Sequence, residues 1–243
     1  MNRLAGLERL YGLLNAHADR HGGRLRLADI GSALLPRRGV YFFFDENELR
    51  QDSGIGPRVV RVGTHALTVD SMSTLGQRLG QHRGARNGGG NHRGSIIRNL
   101  VGQAILAGKG VPPCPSWGIA SDLTKASAVM GADRRLIASS EKLVENGVSN
   151  YLATLTLTYL DINDEPGANS KRGFVERHAI ALLSNHDRVA LDAPSIAWLG
   201  HVSNRELVRR SGLWNQRHVT ETCAEEFLNV FETLTGKRPH ERI

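Results

Sequence analysis

The chain has few cysteines and no long apolar run, and both shortages narrow the class of protein. Its 243 residues include two cysteines, Cys114 and Cys223, which are far apart and form no C-x-x-C pair. This spacing argues against a zinc site and a disulfide framework and is typical of a reducing cytoplasm. No segment approaches the roughly 20 apolar residues of a membrane-spanning helix, and the N-terminus has no secretory apolar region. We therefore expect a soluble, cytoplasmic protein that is long enough to bury a substantial core.

Acidic residues are missing altogether from one long stretch, residues 71–121. Six cations and no acid fall within it, so that it carries +6 of the net charge of +7: Arg78, Arg83, Arg86, Arg93, Arg98 and Lys109. Concentrated positive charge attracts polyanions, and phosphate neutralisation supplies most of the non-specific affinity for nucleic acid. We expect a nucleic acid partner. A solvated basic face without a partner is the alternative.

Hydrophobic periodicity predicts an α/β (α+β) chain. Apolar residues at helical spacing predict helices over residues 3–18, 94–107, 133–146, 173–184, 205–210 and 224–235. Apolar runs predict strands over residues 40–44, 59–62 and 152–160, with the second antiparallel to the first. Ser73 or Thr74 is a candidate N-cap for a further helix that carries Leu75 and Leu79. Residues 108–120, with three prolines and three glycines, are expected to form a connector.

Five short elements then follow one another in an order that suggests phosphodiester chemistry. They are Gly39-Val40-Tyr41, Arg61-Val62-Gly63, the pair Arg78-x-x-x-His82, Glu176 and Asn185. Arg78 and His82 are four residues apart and therefore share one helix face. A tyrosine, an arginine, a histidine, a carboxylate and an amide are enough to cut a phosphodiester bond with one metal ion.

These elements, in this order, resemble the GIY-YIG nuclease superfamily, and the R-x-x-x-H helix is similar to that of its restriction endonucleases. Residues 211–215 and 218–219 also resemble the tail of uncharacterised bacterial members. The resemblance implies a small three-stranded mixed or antiparallel sheet flanked by helices. The nuclease domain would span residues 36–190 with an insertion at about 84–148, between an N-terminal helical segment (1–35) and a helical extension packed on the core (191–243).

The resemblance also implies an activity, namely metal-dependent endonucleolytic hydrolysis of DNA. Its role could be restriction or anti-phage defence, repair or mobile-element processing, and the R-x-x-x-H helix favours restriction-like defence. The catalytic residues would be Tyr41, Arg78, His82, Glu176 and Asn185, with Glu176 holding Mg²⁺ or Mn²⁺. Arg78 would bind phosphate oxygens, and His82 would orient the water or neutralise the phosphate. Asn185 would hydrogen-bond the tyrosine or a strand end, and a helix C-cap is an equal interpretation of it.

Two features depart from the family pattern. Arg61 stands where the second motif normally begins with tyrosine, and an arginine cannot duplicate the proton chemistry of a phenol; His65 is a candidate for part of that role. The segment between His82 and Glu176 is longer than a compact core needs, and we expect it to lie beside the site and contact the DNA backbone. The expected nucleic acid contacts are Arg61, His65, Arg83, Arg86, His92, Arg93 and Arg98.

Two other functions stay open. A non-catalytic nucleic-acid-binding module could keep the fold and the basic insertion, and the missing second tyrosine favours it. A nucleotide-binding enzyme could use the glycine-rich residues 87–94, but they lack the Lys-Ser/Thr of a P-loop and do not follow a strand. We expect this loop to contact a DNA phosphate or to cover the active site. A homodimer or partner protein would suit double-strand cutting, although no residue pattern indicates one.

Overall fold

A four-stranded antiparallel sheet organises the computed structural model, which describes residues 2–32, 34–85, 87–108 and 110–236. The strands are β1 (Leu25–Arg26), β2 (Gly39–Leu49), β3 (Pro57–Gly63) and β4 (Thr156–Asp161), in the order β1-β4-β2-β3. The predicted antiparallel pairing of β2 with β3 is confirmed. The expected three-stranded sheet gains β1, whose two residues are too short for a periodic signal.

Eight α-helices surround the sheet in the described residues. They are α1 (Arg3–Arg20), α2 (Leu75–Arg83), α3 (Ile96–Ala107), α4 (Leu123–Met130), α5 (Arg134–Ala153), α6 (Lys171–Leu183), α7 (Glu206–Ser211) and α8 (Phe227–Thr235). Thr74 caps α2 in a reciprocal capping box with Gln77, as its sequence predicts. The predicted start of the last strand was wrong, because residues 152–153 complete α5 and β4 begins only at Thr156.

The aromatic run of β2 is buried on both faces of the sheet, as its continuous apolar pattern predicts. Val40, Phe42 and Phe44 point into a core shared with α1, α6 and α8. Tyr41 and Phe43 point into a second core, shared with α2, α3 and α5. The sheet therefore separates α2 from α6, and a site between these helices must form at the sheet's end.

The C-terminal part of the chain covers the outer edge of β3. The Trp214 N–H donates to the Val60 carbonyl at 2.7 Å. The Asn215 side chain then accepts from the Val62 N–H at 3.1 Å and donates to the Val62 carbonyl at 2.8 Å. Backbone groups at a strand edge need such partners, so that residues 214–215 complete the sheet next to Arg61. Among the described helices, none is long and apolar enough to cross a membrane.

Candidate active site

The two strand motifs meet where a tyrosine lies over a glycine. The register of β2 and β3 pairs Tyr41 with Gly63. A Cβ atom built on Gly63 would lie 2.2 Å from the Tyr41 Oη and 2.4 Å from its Cζ. Only glycine leaves room for the phenol at this position, so that the end of the second motif fixes where the side chain of the first one lies.

His82 holds the phenol from the other side. Helix α2 buries Leu75 and Leu79, and the same face brings the fully buried His82 to Tyr41. The His82 Nε2 lies 2.7 Å from the Tyr41 Oη, and its Nδ1 lies 2.7 Å from the Ser95 Oγ. Burial lowers the pKa of His82 well below its ordinary value, and the charges of Arg78, Arg61 and Arg98 lower it further. The imidazole is therefore neutral near pH 7.

Glu176 on α6 approaches the same strand ends from the opposite face of the sheet. Its Oε1 accepts from the Thr64 N–H at 3.2 Å, and the Thr64 hydroxyl donates to the Gly39 carbonyl at 2.8 Å. The carboxylate is thus attached to the end of β3 and, through Thr64, to the start of β2. Burial raises the pKa of Glu176, whereas Arg61, His218, the Thr64 N–H and Arg78 oppose that rise. Its Oε2 makes no hydrogen bond to any residue that the structure describes.

Arg78 is the cation that these groups share. It acts electrostatically on His65, His82 and Glu176. Among the described residues, its guanidinium makes only exposed hydrogen bonds, 3.1 Å to the Gln81 Oε1 and 3.2 Å to the Gly94 carbonyl. Such contacts contribute little and exchange easily with other acceptors. Arg78 therefore remains available to an incoming anion.

Arg61 belongs to the same cluster. Its buried side chain donates to the Trp214 carbonyl, while its Nε has no partner among the described residues. It acts electrostatically on both His82 and Glu176. The arginine that replaces the motif tyrosine thus adds positive charge to the site, but its burial leaves little of it for direct contact with DNA.

His65 lies beside the site in a neutral form. Its Nδ1 is 3.1 Å from the Ser73 carbonyl, whose oxygen can only accept a hydrogen bond. Its Nε2 is buried and has no partner among the described residues. Burial, followed by the charge of Arg172, lowers the pKa of His65 to about 4. His65 is therefore not a cation for a phosphate at neutral pH, but an acceptor.

Asn185 makes its hydrogen bonds elsewhere. Its Oδ1 accepts from the Arg3 Nη2 at 2.7 Å and from the Leu191 N–H at 3.0 Å, and its Nδ2 donates to the Leu191 carbonyl. These contacts attach the loop after α6 to the start of α1. The structure does not bond this amide to Tyr41 or to a strand end, and the C-cap of α6 is Ser184.

Two residues near the site were not singled out by sequence reasoning. The Asn215 amide, not that of Asn185, bonds to a strand of the site, at Val62. His218 acts electrostatically on Glu176 and has a left-handed backbone (φ 64°), which is costly for a residue other than glycine and often marks a functional site. In the sequence, the one signal for Asn215 and His218 is that residues 211–215 and 218–219 resemble the C-terminal tail of uncharacterised family members.

Three of the residues expected to contact DNA are bonded to partners inside the protein. Arg98 is fully buried against Glu145 and donates to the His82 carbonyl at 3.0 Å. The buried His92 bonds to the same glutamate at 3.0 Å. Arg93 pairs with both oxygens of Glu141 at 2.7 Å. Their stretch contains no acid, but α5 supplies Glu141 and Glu145. The two arginines therefore form internal ion pairs and His92 an internal hydrogen bond, so these side chains are not available to a phosphate backbone.

The remaining parts of the insertion also have structural uses. A Cβ on Gly90 would lie 2.0 Å from the Arg98 Nη2, so that the glycine loop packs directly on this guanidinium. Its contact with a DNA phosphate stays a prediction. Arg83 is half-buried, lies against Gly31 and, within the part of the chain that the structure describes, donates to the neighbouring Gly84 carbonyl. Its contact with nucleic acid stays a prediction. Arg86 lies outside the described residues.

Comparison with known proteins gives one match. A family model described as a GIY-YIG domain matches residues 1–240, which includes both strand motifs, the α2 helix, Glu176 and the segment that covers β3. No curated protein and no solved structure matches the chain.

Proposed function

The chain belongs to the GIY-YIG family, and we propose that it is a metal-dependent endonuclease that hydrolyses DNA phosphodiester bonds. Membership supports a nuclease-type function in general and implies a nucleic acid substrate. The observation that carries the finer proposal is the convergence of Tyr41, His82, Arg78 and Glu176 on the ends of β2 and β3. A tyrosine on a strand, a cation and a carboxylate thus approach the same strand ends from the two faces of the sheet.

Glu176 would hold the metal ion. No group of three or more His, Cys, Asp or Glu side chains in the described residues could bind a metal, which disfavours a metal held by protein ligands alone. One carboxylate suits Mg²⁺ or Mn²⁺, because these ions keep several waters and accept phosphate oxygens as further ligands. The unpaired Glu176 Oε2 is the ligand atom that the chain offers. When bound, such an ion stabilises negative charge on the phosphate and on the leaving oxygen.

Arg78 would bind the scissile phosphate. Its guanidinium has only exposed hydrogen bonds to release, and its planar donors match phosphate oxygens. Negative charge on these oxygens grows as the water attacks, so that a nearby cation stabilises the transition state more than the substrate. Arg61 would add to this positive field from its buried position.

Tyr41 would accept the proton of the attacking water. Tyr41 would first lose its own proton to solvent. The water oxygen then bonds to phosphorus, its proton passes to the Tyr41 oxygen, and the bond from phosphorus to the leaving oxygen breaks, with the leaving oxygen taking a proton from solvent. The His82 Nε2 lies within hydrogen-bond distance of the oxygen that accepts the proton. Because Tyr41 and His82 are fully buried, the proposal requires that side chains covering them move when DNA binds.

A non-catalytic nucleic-acid-binding module is the second candidate. The same burial of Tyr41 and His82 favours it, as does Arg61 in place of a tyrosine. In that case the cations near Glu176 would bind DNA without cutting it. Neither candidate depends on the cellular role, and restriction-like defence is supported only by the R-x-x-x-H helix.

A cleavage assay separates the two candidates. Plasmid and single-stranded DNA are incubated with the protein and either Mg²⁺, Mn²⁺ or a chelator, beside an Arg78→Ala variant. We expect cleavage only with metal, and about a hundredfold slower cleavage by the variant, as for loss of one transition-state donor. Intact DNA that is nevertheless retarded on a gel by the wild-type protein would establish the binding module instead.

A further inference from the structure

The hydrogen bonds of Tyr41 continue beyond His82 into the insertion. Ser95 is the N-cap of α3, where its Oγ accepts from the Arg98 N–H at 3.4 Å, and it is almost fully buried. The same oxygen lies 2.7 Å from the His82 Nδ1, and the His82 Nε2 lies 2.7 Å from the Tyr41 Oη. Ser95, His82 and Tyr41 therefore form one continuous chain of hydrogen bonds.

Such a chain can run in only two directions while the imidazole is neutral. Either the Ser95 hydroxyl donates to Nδ1 and the His82 Nε2–H donates to Tyr41, or Tyr41 donates to Nε2 and the His82 Nδ1–H donates to Ser95. Each direction leaves one terminal hydroxyl proton in need of an acceptor. The surroundings of the two ends decide between them.

The serine end offers no acceptor. Among the described residues, the other contact of the Ser95 Oγ is the Arg98 N–H, which is itself a donor. The tyrosine end lies over Gly63, at the strand ends that Arg78 and Glu176 also approach. Tyr41 is fully buried in the free protein, so an acceptor reaches its phenol only when the side chains that cover it move on DNA binding. A water molecule or a phosphate oxygen would then accept the phenol proton, whereas the Ser95 hydroxyl would still lack an acceptor. A buried hydroxyl without an acceptor is costly, so this asymmetry favours the direction from serine to tyrosine in the DNA complex.

We propose that Ser95 is a positioning residue for His82: its hydroxyl donates to Nδ1, which leaves the ring proton on Nε2 and makes the imidazole a hydrogen-bond donor to the Tyr41 oxygen. The catalytic value of this arrangement rests on the proposed nuclease function. A donor at this place stabilises a phenolate, whereas an acceptor would destabilise it. The low pKa of His82 agrees, since it keeps the ring from carrying a second proton.

The insertion would then contribute to catalysis through position and not through contact with DNA. Ser95 opens α3, and Arg98 of the same helix bonds to the His82 carbonyl at 3.0 Å. One helix of the insertion thus fixes both the backbone and the ring of the active-site histidine.

Nitrogen NMR of the histidine rings tests this inference directly, because ring nitrogen shifts distinguish an Nδ1–H from an Nε2–H tautomer. The full-length protein is labelled at histidine, and His82→Gln assigns the signal. In the complex with DNA and a chelator, where no cleavage occurs, we expect Nε2–H in the wild type and in Ser95→Thr, which keeps the hydroxyl. Ser95→Ala should shift the population toward Nδ1–H and slow DNA cleavage about tenfold, less than the roughly hundredfold or more expected for loss of a proton-transfer group itself.

A matched control separates this effect from the loss of a helix cap. Asp122 caps α4 in the same insertion, accepting from the Lys125 N–H at 2.8 Å, and none of its hydrogen bonds reaches His82. Asp122→Ala should therefore leave both the tautomer and the cleavage rate unchanged.

The outcomes distinguish this inference from the proposed function. A wild-type protein that cleaves DNA with its His82 proton on Nδ1, or a Ser95→Ala variant with unchanged tautomer and rate, would overturn the inference alone. A tautomer that depends on Ser95 in a protein that never cuts DNA would support the hydrogen-bond chain and overturn the nuclease proposal alone.

Discussion

At the scale of single residues, the site depends on one glycine and one unusually placed carboxylate. Gly63 lets the Tyr41 phenol lie against β3, and Thr64, the next residue, binds Glu176. Three consecutive positions, from Val62 to Thr64, therefore connect Asn215, Tyr41 and Glu176. The glycine of the second motif is a packing requirement as well as a sequence signature.

Gly63→Ala tests this packing. The added methyl group would overlap the tyrosine ring, and we expect a loss of about 1–3 kcal/mol in the free energy of unfolding, typical of overpacking. Denaturant titration measures it. Gly12→Ala is the control, because Gly12 lies in α1 with no atom within 4 Å of the added methyl, and it should stabilise the protein by about 0.5–1 kcal/mol. Equal stability of Gly63→Ala and the wild type would contradict the assigned contact.

The raised pKa of Glu176 gives a stability prediction with a definite sign. The folded protein binds this proton more tightly than the unfolded chain, so the ionised carboxylate costs stability once the pH exceeds its unfolded pKa. Glu176→Gln removes that cost. We expect the variant to unfold at a higher denaturant concentration than the wild type at pH 7.

The advantage of Glu176→Gln should fade as the pH falls below the ordinary pKa of a glutamate, since both states then hold the proton. The denaturant midpoints of the wild type and the variant, measured at several pH values, should approach each other as the pH falls. A variant that is less stable than the wild type at pH 7 would show that the carboxylate stabilises the fold, and would weaken its assignment to a functional site.

At the scale of helices and strands, an internal network of hydrogen bonds and an ion pair places α2, the helix that carries Arg78 and His82. Glu145 on α5 binds both His92 and Arg98, and Arg98 in turn binds the carbonyls of His82 and Arg83 at the end of α2. The His92 ring also stacks on Trp117 at 3.8 Å between centroids. The insertion therefore supports α2 with the cations that its sequence suggests for DNA.

Breaking this network should be costly. Arg98→Ala leaves the buried Glu145 carboxylate without its strongest partner, and we expect a loss of about 3–5 kcal/mol in the free energy of unfolding. Arg210→Ala removes exposed pairs with Asp187 and Glu206 and should cost no more than about 1 kcal/mol. Similar losses in the two variants, measured by denaturant titration, would contradict a structural role for Arg98.

The elements that the sequence predicts well are those with strong local periodicity. The leucine spacing of α1 and the aromatic run of β2 predict both elements, whereas α4 buries only Ala126 and has no apolar stripe to detect. The alternating pattern that predicts a strand from residue 152 begins inside the last turn of α5. A short apolar run fits a helix as well as a strand, so the pattern could not place this boundary.

The residues of the candidate site differ in the same way: some have a local sequence signal and others depend on contacts between distant parts of the chain. Tyr41, Arg78 and His82 stand in short motifs and Glu176 stands alone on a predicted helix, and the structure brings these four residues to the same strand ends. The pairing of Asn215 with Val62 spans 153 residues and that of Arg98 with Glu145 spans 47. Contacts over such separations leave no local pattern in one sequence, so the internal partners of the basic residues could not be read from it.

At the scale of the whole molecule, the net charge of +7 must be divided into neutralised and available parts. Arg93 and Arg98 are buried beside glutamates, whereas Arg78 has only exposed neutral partners. The basic stretch therefore offers less positive charge to a binding partner than its composition suggests. Of the cations in this stretch, Arg78 is the one that acts electrostatically on both His82 and Glu176.

The salt dependence of DNA binding tests this division. Each phosphate contact that is lost lowers the slope of log K against log salt by about one. We expect that decrease for Arg78→Ala in fluorescence-anisotropy titrations. Arg9→Ala, whose partner Glu232 lies on α8, should leave the slope unchanged. An unchanged slope for Arg78→Ala would remove Arg78 from the DNA surface.

The central claim is that one carboxylate, attached to the strand ends, makes this fold a nuclease. The most direct test is the single-turnover rate of DNA cleavage with saturating Mg²⁺ for the wild type and Glu176→Gln, beside Glu225→Gln at an exposed position. We predict a fall of about a thousandfold or more for Glu176→Gln, equivalent to about 4 kcal/mol of transition-state stabilisation, with DNA binding retained and Glu225→Gln unaffected. Cleavage by Glu176→Gln at the wild-type rate would contradict the claim.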